Sequence, residues 1–382
     1  MSIMRILQIA SFTGNIGDNA SRKGLNYILN QFFDNYSITP LEIRKFYKNY
    51  SLPDKQTFNT EFIKYANTFD LLIIGGGGFL DYWVPDSLTG TTLDISPQII
   101  DKITVPTLIA SVGCTPRKKE IPEENIKKLQ NFLNAALSNP KIKIAVRNDG
   151  SINAIRDDIG KDYLKQIPEI LDFGFFYNPP KIKTYPISKP LITINLTEDQ
   201  INLVARHRKI INKDLYHTEL KKVLNELNKN NTNIVFIPHI YSDLKAITDL
   251  FNTMEDHSLR NSFTVAPYIQ SDKGADYLFS LYKQSTLVIG TRFHCNVCSL
   301  SSNVPTLGLV ALERVKYVYE QLQLKNNFVK LDYAFGDDLL KNIEYVTKNY
   351  NAVQHKIKSA LPGLKKNSIN TLNNFLNEII KL

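Results

Sequence analysis

Short apolar runs that stop at glycine or a polar residue, each followed by helical spacing, constrain this chain more than any other feature of it. Arg5–Ala10 is such a run, closed by Ser11, Gly14 and Gly17, and Ala20–Phe33 then places Leu25, Ile28, Leu29, Phe32 and Phe33 on one helical face. The unit recurs. Phe69–Ile74 runs into Gly75–Gly78, Thr107–Val112 into Gly113, and Ile142–Val146 into Arg147, with a helix expected from Ser151. Runs buried on both faces that alternate with helices predict a parallel sheet in an α/β fold. The stretch from Asn178 to Pro190 holds four prolines, which neither a helix nor a central strand tolerates, so a linker is expected there.

Beyond the prolines the pattern restarts. Strands are expected at Leu191–Leu196, Ile234–Pro238, Ser262–Ala266, Thr286–Ile289 and Thr306–Leu309. Helices are expected at Leu215–Lys229, Leu244–Met254, Gly274–Tyr282 and Cys295–Ser301. The 382 residues therefore divide into an α/β domain over 1–180, a second over 190–350 facing it, and a lysine-rich helical tail over 351–382.

Charge is placed unevenly. Residues 1–180 carry 20 lysines and arginines against 19 aspartates and glutamates, whereas residues 181–382 carry 26 against 18. With no basic-aromatic interleaving, that asymmetry points to an anionic small molecule or a phospholipid surface and not to nucleic acid. Three cysteines are too few for a disulfide framework, and Cys295 and Cys298 have no second pair to complete a zinc site, so no metal is expected. No apolar stretch reaches the ~18 residues of a membrane span, and the first residues lack a secretion signal, so a cytoplasmic protein is expected.

In open parallel sheets ligands sit at the carboxyl ends of strands, against helix N-termini. Polar residues at those places are the candidates. After the first strand, glycine spacing in Gly14-Asn15-Ile-Gly17-Asp18-Asn19 lets backbone approach a ligand, and Asn15, Asp18 and Asn19 can cap the helix or bond hydroxyls. Four consecutive glycines at Gly75–Gly78 carry an ordering cost that close approach of another group explains, which makes Gly76 and Gly77 candidates. Arg147 ends a strand, where it can fork onto a carboxylate or phosphate or pair with Asp149, and Ser151 can cap the next helix. The strongest local signal is Gly290-Thr-Arg292-Phe293-His294. There a buried strand breaks into an anion-binding arginine and a histidine able to move a proton, at a helix start. His239 closes another strand, with Asp243 four residues on. The run Arg206–Lys209 reads as a solvated face.

Taken in order, Gly14 to Asp18, Gly75 to Leu80, Ser111 to Gly113, Val146-Arg147, and Gly290 to His294 followed by Asn303-Val-Pro305 resemble the polysaccharide pyruvyl transferase family over about residues 5–320. The resemblance implies a glycosyltransferase-B-like fold of two Rossmann-like domains facing a cleft, the first on the acceptor side and the second on the phosphoenolpyruvate side. It implies transfer of an enolpyruvyl group from phosphoenolpyruvate onto two hydroxyls of one sugar, with Arg147 and Arg292 as donor arginines, Phe293 beside them, and His294 as the catalytic histidine. Where relatives carry an Asp-x-Lys element, this chain has Glu313 and Lys316 as counterparts, and Cys114 stands in a loop that is usually richer in glycine.

Phosphoenolpyruvate is then a co-substrate and no cofactor is expected. The acceptor is a sugar, lipid-linked sugar or polysaccharide of capsule or cell-wall assembly. A nucleotide-sugar glycosyltransferase and a non-catalytic glycan-binding protein are the alternatives on the same fold. The basic second half and tail carry one further expectation, a weak peripheral contact with the cytoplasmic membrane face.

Overall fold

A computed structural model describes residues 3–116, 120–182, 190–208, 211–229 and 232–381. Most of the expected linker, residues 183–189, lies outside the described residues, as do the side chains of Arg206–Lys209.

The chain forms two parallel sheets of six strands and divides into two compact units. The first unit comprises Met1–Phe12, Leu25–Phe173 and Leu364–Leu382, and the second comprises Thr13–Gly24 and Gly174–Gly363.

In the first unit the strands are β1 (Met4–Ala10), β2 (Tyr36–Glu42), β3 (Leu71–Gly75), β4 (Thr107–Val112), β5 (Ile142–Arg147) and β6 (Glu169–Ile170), in the order β2-β1-β3-β4-β5-β6. Every residue of β3 and β4 is buried. That follows from Leu, Ile and Val on both faces, with helices covering each side of the sheet. Leu7, Ile9, Leu72, Ile74, Ile109, Leu129, Phe132 and Ile144 form the centre of this core.

In the second unit β7 (Leu191–Asn195), β8 (Asn233–Phe236), β9 (Phe263–Val265), β10 (Leu287–Gly290), β11 (Thr306–Val310) and β12 (Phe328–Lys330) take the order β12-β11-β10-β7-β8-β9. This is the doubly wound order of a Rossmann sheet, all of its strands parallel, and the direction in which successive strands are added reverses between β7 and β10. Both strands are fully buried, and Gly290 at the end of β10 pairs with Asn195 at the end of β7. The crevice beyond these two ends is where such a sheet accepts ligands. In the first unit the reversal lies between β1 and β3, whose ends carry Ser11 and the glycine tract.

The last helix, Tyr350–Ile380, runs through Pro362 and belongs to the second unit up to Gly363 and to the first from Leu364. In the first unit Ser368 Oγ accepts the Leu171 N–H at 2.9 Å, and Lys143 pairs with Glu378 at 2.5 Å. In the second, Gln354 Nε2 donates to the Asn303 carbonyl at 3.0 Å.

Candidate functional site

At the end of β10 the backbone turns on Gly290, where a Cβ would fall 2.6 Å from Cys295 Sγ. The turn is tied to the end of β7, for the Thr291 N–H donates to the Asn195 carbonyl at 3.2 Å and the Arg292 N–H to Asn195 Oδ1 at 3.0 Å. Arg292 caps the helix Phe293–Ser301 with an extended backbone, and its guanidinium enters a set of acceptors. Nε donates to both Asp243 carboxylate oxygens at 3.0 and 2.8 Å, and Nη2 to Asp243 Oδ1 at 2.5 Å, Asp199 Oδ1 at 2.8 Å and Thr197 Oγ1 at 3.1 Å. Burial alone would push the Arg292 pKa down, but Asp243 and then Asp199 more than offset it and hold the guanidinium charged.

His294 sits one residue into that helix with its Nδ1 3.8 Å from Asp18 Oδ1. Gly17 is glycine for this reason: a Cβ there would lie 2.6 Å from His294 Nδ1 and 2.7 Å from its Cβ. The close approach expected of the first glycine turn is made to this histidine. Asn15 opens the helix Ile16–Phe32, since its Oδ1 accepts the Gly17 N–H at 3.0 Å while its Nδ2 donates to Asp18 Oδ1 at 3.2 Å. Asn19 is buried and donates to Asp272 Oδ1 at 2.9 Å, a carboxylate that also pairs with Arg22.

His239 lies wholly buried behind Arg292. Its Nε2 is 2.8 Å from the Tyr282 hydroxyl, its N–H donates to Asp243 Oδ2 at 2.9 Å, and its carbonyl accepts from the Ile16 N–H at 3.4 Å. Burial, then Arg292 and His294, drive its pKa well below the usual histidine value, so the ring is neutral. Phe293 is buried, its ring 5.6 Å from that of His294 and 5.9 Å from the Arg314 guanidinium.

Glu313 and Lys316 lie on the helix Glu313–Gln321 that follows β11. Lys316 Nζ is 3.1 Å from Glu320 on its own helix, and Glu320 pulls its pKa up. The second unit thus gathers Asn15, Asp18, Asn19, His239, Arg292, Phe293 and His294 around the β7 and β10 ends.

The remaining expected residues belong to the first unit. Arg147 is 2% exposed, with Nε 2.7 Å from Asp149 Oδ2 and Nη1 3.3 Å from Asp172 Oδ2. The ion pair with Asp149 that the spacing allowed is the arrangement present. Ser151 does not cap its helix; Gly150, at φ 92°, occupies the cap. Ser151 Oγ instead accepts the Cys114 N–H at 2.7 Å and donates to Asp149 Oδ1, so a main-chain donor outside the helix takes the place that a helix N–H would have had.

Gly76 adopts φ 81°, a Cβ on Gly75 would lie 2.1 Å from the Ala110 carbonyl oxygen, and one on Gly77 would lie 2.3 Å from the Phe79 ring. The glycine tract is therefore explained by close packing inside its own unit. The three cysteines are free and buried, and among the described residues no group of His, Cys, Asp or Glu could hold a metal ion.

Thr197 and Asp199 were not singled out as site residues from the sequence. A polar residue at the end of a fully buried strand, as Asn195 is in β7, is the signal that leads to this turn.

A family model described as polysaccharide pyruvyl transferase matches residues 15–311, and the chain belongs to that family, one of transferases. No curated protein matches it by sequence. Solved structures match it in fold. A glycosyltransferase from Rickettsia africae shares 11% identity over 99% of each chain with a TM-score of 0.59. A UGT transferase from Siraitia grosvenorii in complex with UDP shares 10% over 98% of this chain and 99% of its own, with a TM-score of 0.57. The UDP-GlcNAc 2-epimerase of Neisseria meningitidis shares 11% over 98% of this chain and 100% of its own, with a TM-score of 0.54. The fold of this chain is thus glycosyltransferase-B-like, with two Rossmann-like sheets.

Proposed function

We propose that the protein moves the enolpyruvyl group of phosphoenolpyruvate onto two hydroxyls of one sugar, releasing phosphate and leaving a pyruvate ketal. The observation that carries this reading is the placement of Arg292 and His294 at one helix start beside the β7–β10 reversal, in a member of a pyruvyl transferase family. Arg292 and the positive end of the helix Phe293–Ser301 hold the donor's carboxylate or phosphate. His294, its ring seated on Gly17 and oriented by Asp18, delivers a proton to the methylene carbon. The adjacent carbon becomes electrophilic, and one sugar hydroxyl adds there and gives up its proton. The C–O bond to phosphate then breaks, and the second hydroxyl adds to the same carbon, losing its proton and closing the ketal.

Phosphoenolpyruvate is the co-substrate and the proposal uses no cofactor. The acceptor class is a sugar, free, lipid-linked or polymeric, in capsule or cell-wall glycan assembly on the cytoplasmic side.

Incubation with phosphoenolpyruvate and galactosides or N-acetylhexosaminides releases phosphate and adds the mass of a pyruvate ketal. His294→Ala keeps donor affinity within severalfold and lowers turnover by ~10²–10⁴. Absence of phosphoenolpyruvate binding by calorimetry overturns the reading, and stabilisation by a nucleoside diphosphate in its place would favour glycosyl transfer.

A further inference from the structure

We infer that Asp199 occupies the seat of the ligand's anion: an oxygen of a small carboxylate or phosphate replaces Asp199 Oδ1 on Arg292 Nη2 and Thr197 Oγ1. This rests on the reading of Arg292 as the donor-binding arginine and names the atoms that do the binding.

The geometry around Nη2 is overcommitted. That nitrogen has two hydrogens, yet three acceptors stand around it, Asp243 Oδ1 at 2.5 Å, Asp199 Oδ1 at 2.8 Å and Thr197 Oγ1 at 3.1 Å. The two carboxylates differ in what holds them. The Asp243 side chain has no exposed surface and also serves Arg292 Nε, the His239 N–H at 2.9 Å and the Ile240 N–H at 3.3 Å. Its departure would strand a buried charge and three donors. The Asp199 side chain is 48% exposed, and its other partners are the Thr197 hydroxyl and one main-chain N–H, that of Gln200. Water can take up Asp199 as it leaves.

Arg292 Nη1 has no hydrogen-bond partner among the described residues, so Asp199 uses one arm of the guanidinium fork while a two-oxygen ligand can bridge Nη1 and Nη2. The place agrees with the fold. Thr197 and Asp199 follow β7 and Arg292 follows β10, the two strands between which the sheet reverses. Burial disfavours the charged form of Asp199, but Arg292 and Thr197 overcome it and hold the carboxyl below its ordinary range, so it stands in the seat as an anion.

Titration calorimetry of the whole protein with inorganic phosphate, with pyruvate and with phosphoenolpyruvate tests this. Asp199→Asn, which keeps the shape and removes the competing charge, tightens binding of at least one of the two small anions by about fivefold or more. Thr197→Val weakens the same anion severalfold. The phosphate and pyruvate arms tell which end of the donor takes the seat. Glu255→Gln, which removes an exposed acid elsewhere in the unit, leaves all three affinities unchanged. Unchanged or weaker binding by Asp199→Asn with an unaltered melting temperature overturns the assignment, as does equal tightening by Glu255→Gln or failure of every form to bind either small anion. If the small anions tighten as expected but phosphoenolpyruvate binds no form, the Asp199 seat stands and the pyruvyl reading falls.

Discussion

Asp243 and His239 show how single buried groups hold the β10 turn. Asp243 takes the main-chain N–H of His239 with one oxygen and the Arg292 guanidinium with both, so one carboxylate fixes the ends of two neighbouring structural segments. His239 is packed edge-on against Phe279 at 5.4 Å and bonded to Tyr282, with no exposed surface. Burial first, then Arg292 and His294, depress its folded pKa far below the 6.5 of an ordinary histidine. The unfolded chain therefore binds a proton that the folded chain refuses. Stability from this group is fully present above pH 6.5 and is lost as pH falls from there toward the depressed folded value. Between pH 7.5 and 5.5 the loss is on the order of 1 kcal/mol. Urea unfolding at the two pH values shows the wild type losing that much more than His239→Gln. Equal losses in the two proteins would refute the neutral, buried assignment.

Among the elements, the helix Ile16–Phe32 and the helix Phe293–Ser301 meet where Gly17 touches the His294 ring. Inside a helix, alanine in place of glycine normally adds roughly 0.5–1 kcal/mol. Here the added Cβ would lie 2.6 Å from the ring, and overpacking of that kind costs ~1–3 kcal/mol. Gly17→Ala is therefore expected to lower the melting temperature and reduce turnover together by displacing His294; a raised melting temperature with full turnover would show that the contact is slack.

The central strands were legible because both of their faces are apolar, as in Thr107–Val112, read from the sequence with the bounds the structure gives. The edge strands were not. β2 has only half-buried and exposed residues and carries Pro40, while β6 and β12 are two and three residues long. Helix starts come earlier than the apolar spacing suggests, at Ile16, Tyr241 and Phe293, because the first turn is polar or capped and shows no periodicity. The helix expected from Ser151 ends after Ala154 and continues as a π turn over Ile155–Gly160, a register no pattern of apolar residues announces. Asp18, His239, Arg292 and His294 could be found locally, since each is a polar residue just past an apolar strand. Asp199 could not, because its partner Arg292 lies 93 residues away and only the sheet order brings β7 beside β10.

Across the whole molecule the excess of positive charge, +9 in all, is the property that reaches furthest from the site. On the helix Tyr350–Ile380 the side chains of Lys356, Lys358 and Lys366 stand exposed, and Lys381 follows just beyond it. Of the apolar residues of the same helix, Val353, Ile357, Leu361, Leu372, Leu376 and Ile379 are buried, Leu364 and Phe375 are half-buried, and Ile380 at its end is exposed. The helix therefore offers a surface its cations and, of its large aliphatic residues, only Ile380 exposed, and among the described residues no helix is long and apolar enough to cross a membrane. A lysine close to an anionic leaflet contributes about 1 kcal/mol, and salt screens it over roughly 10 Å at 0.1 M. From four such lysines the expected association is weak, reversible and without insertion. Sedimentation with phosphatidylglycerol vesicles brings the protein into the pellet at low salt and returns it to the supernatant at high salt. Replacing Lys356, Lys358, Lys366 and Lys381 together by glutamine shifts it to the supernatant at low salt while the melting temperature holds, since none of these side chains is buried. If the wild type stays in the supernatant at low salt, or the fourfold variant sediments as the wild type does, these lysines serve solubility alone and the basic helix has no membrane to meet.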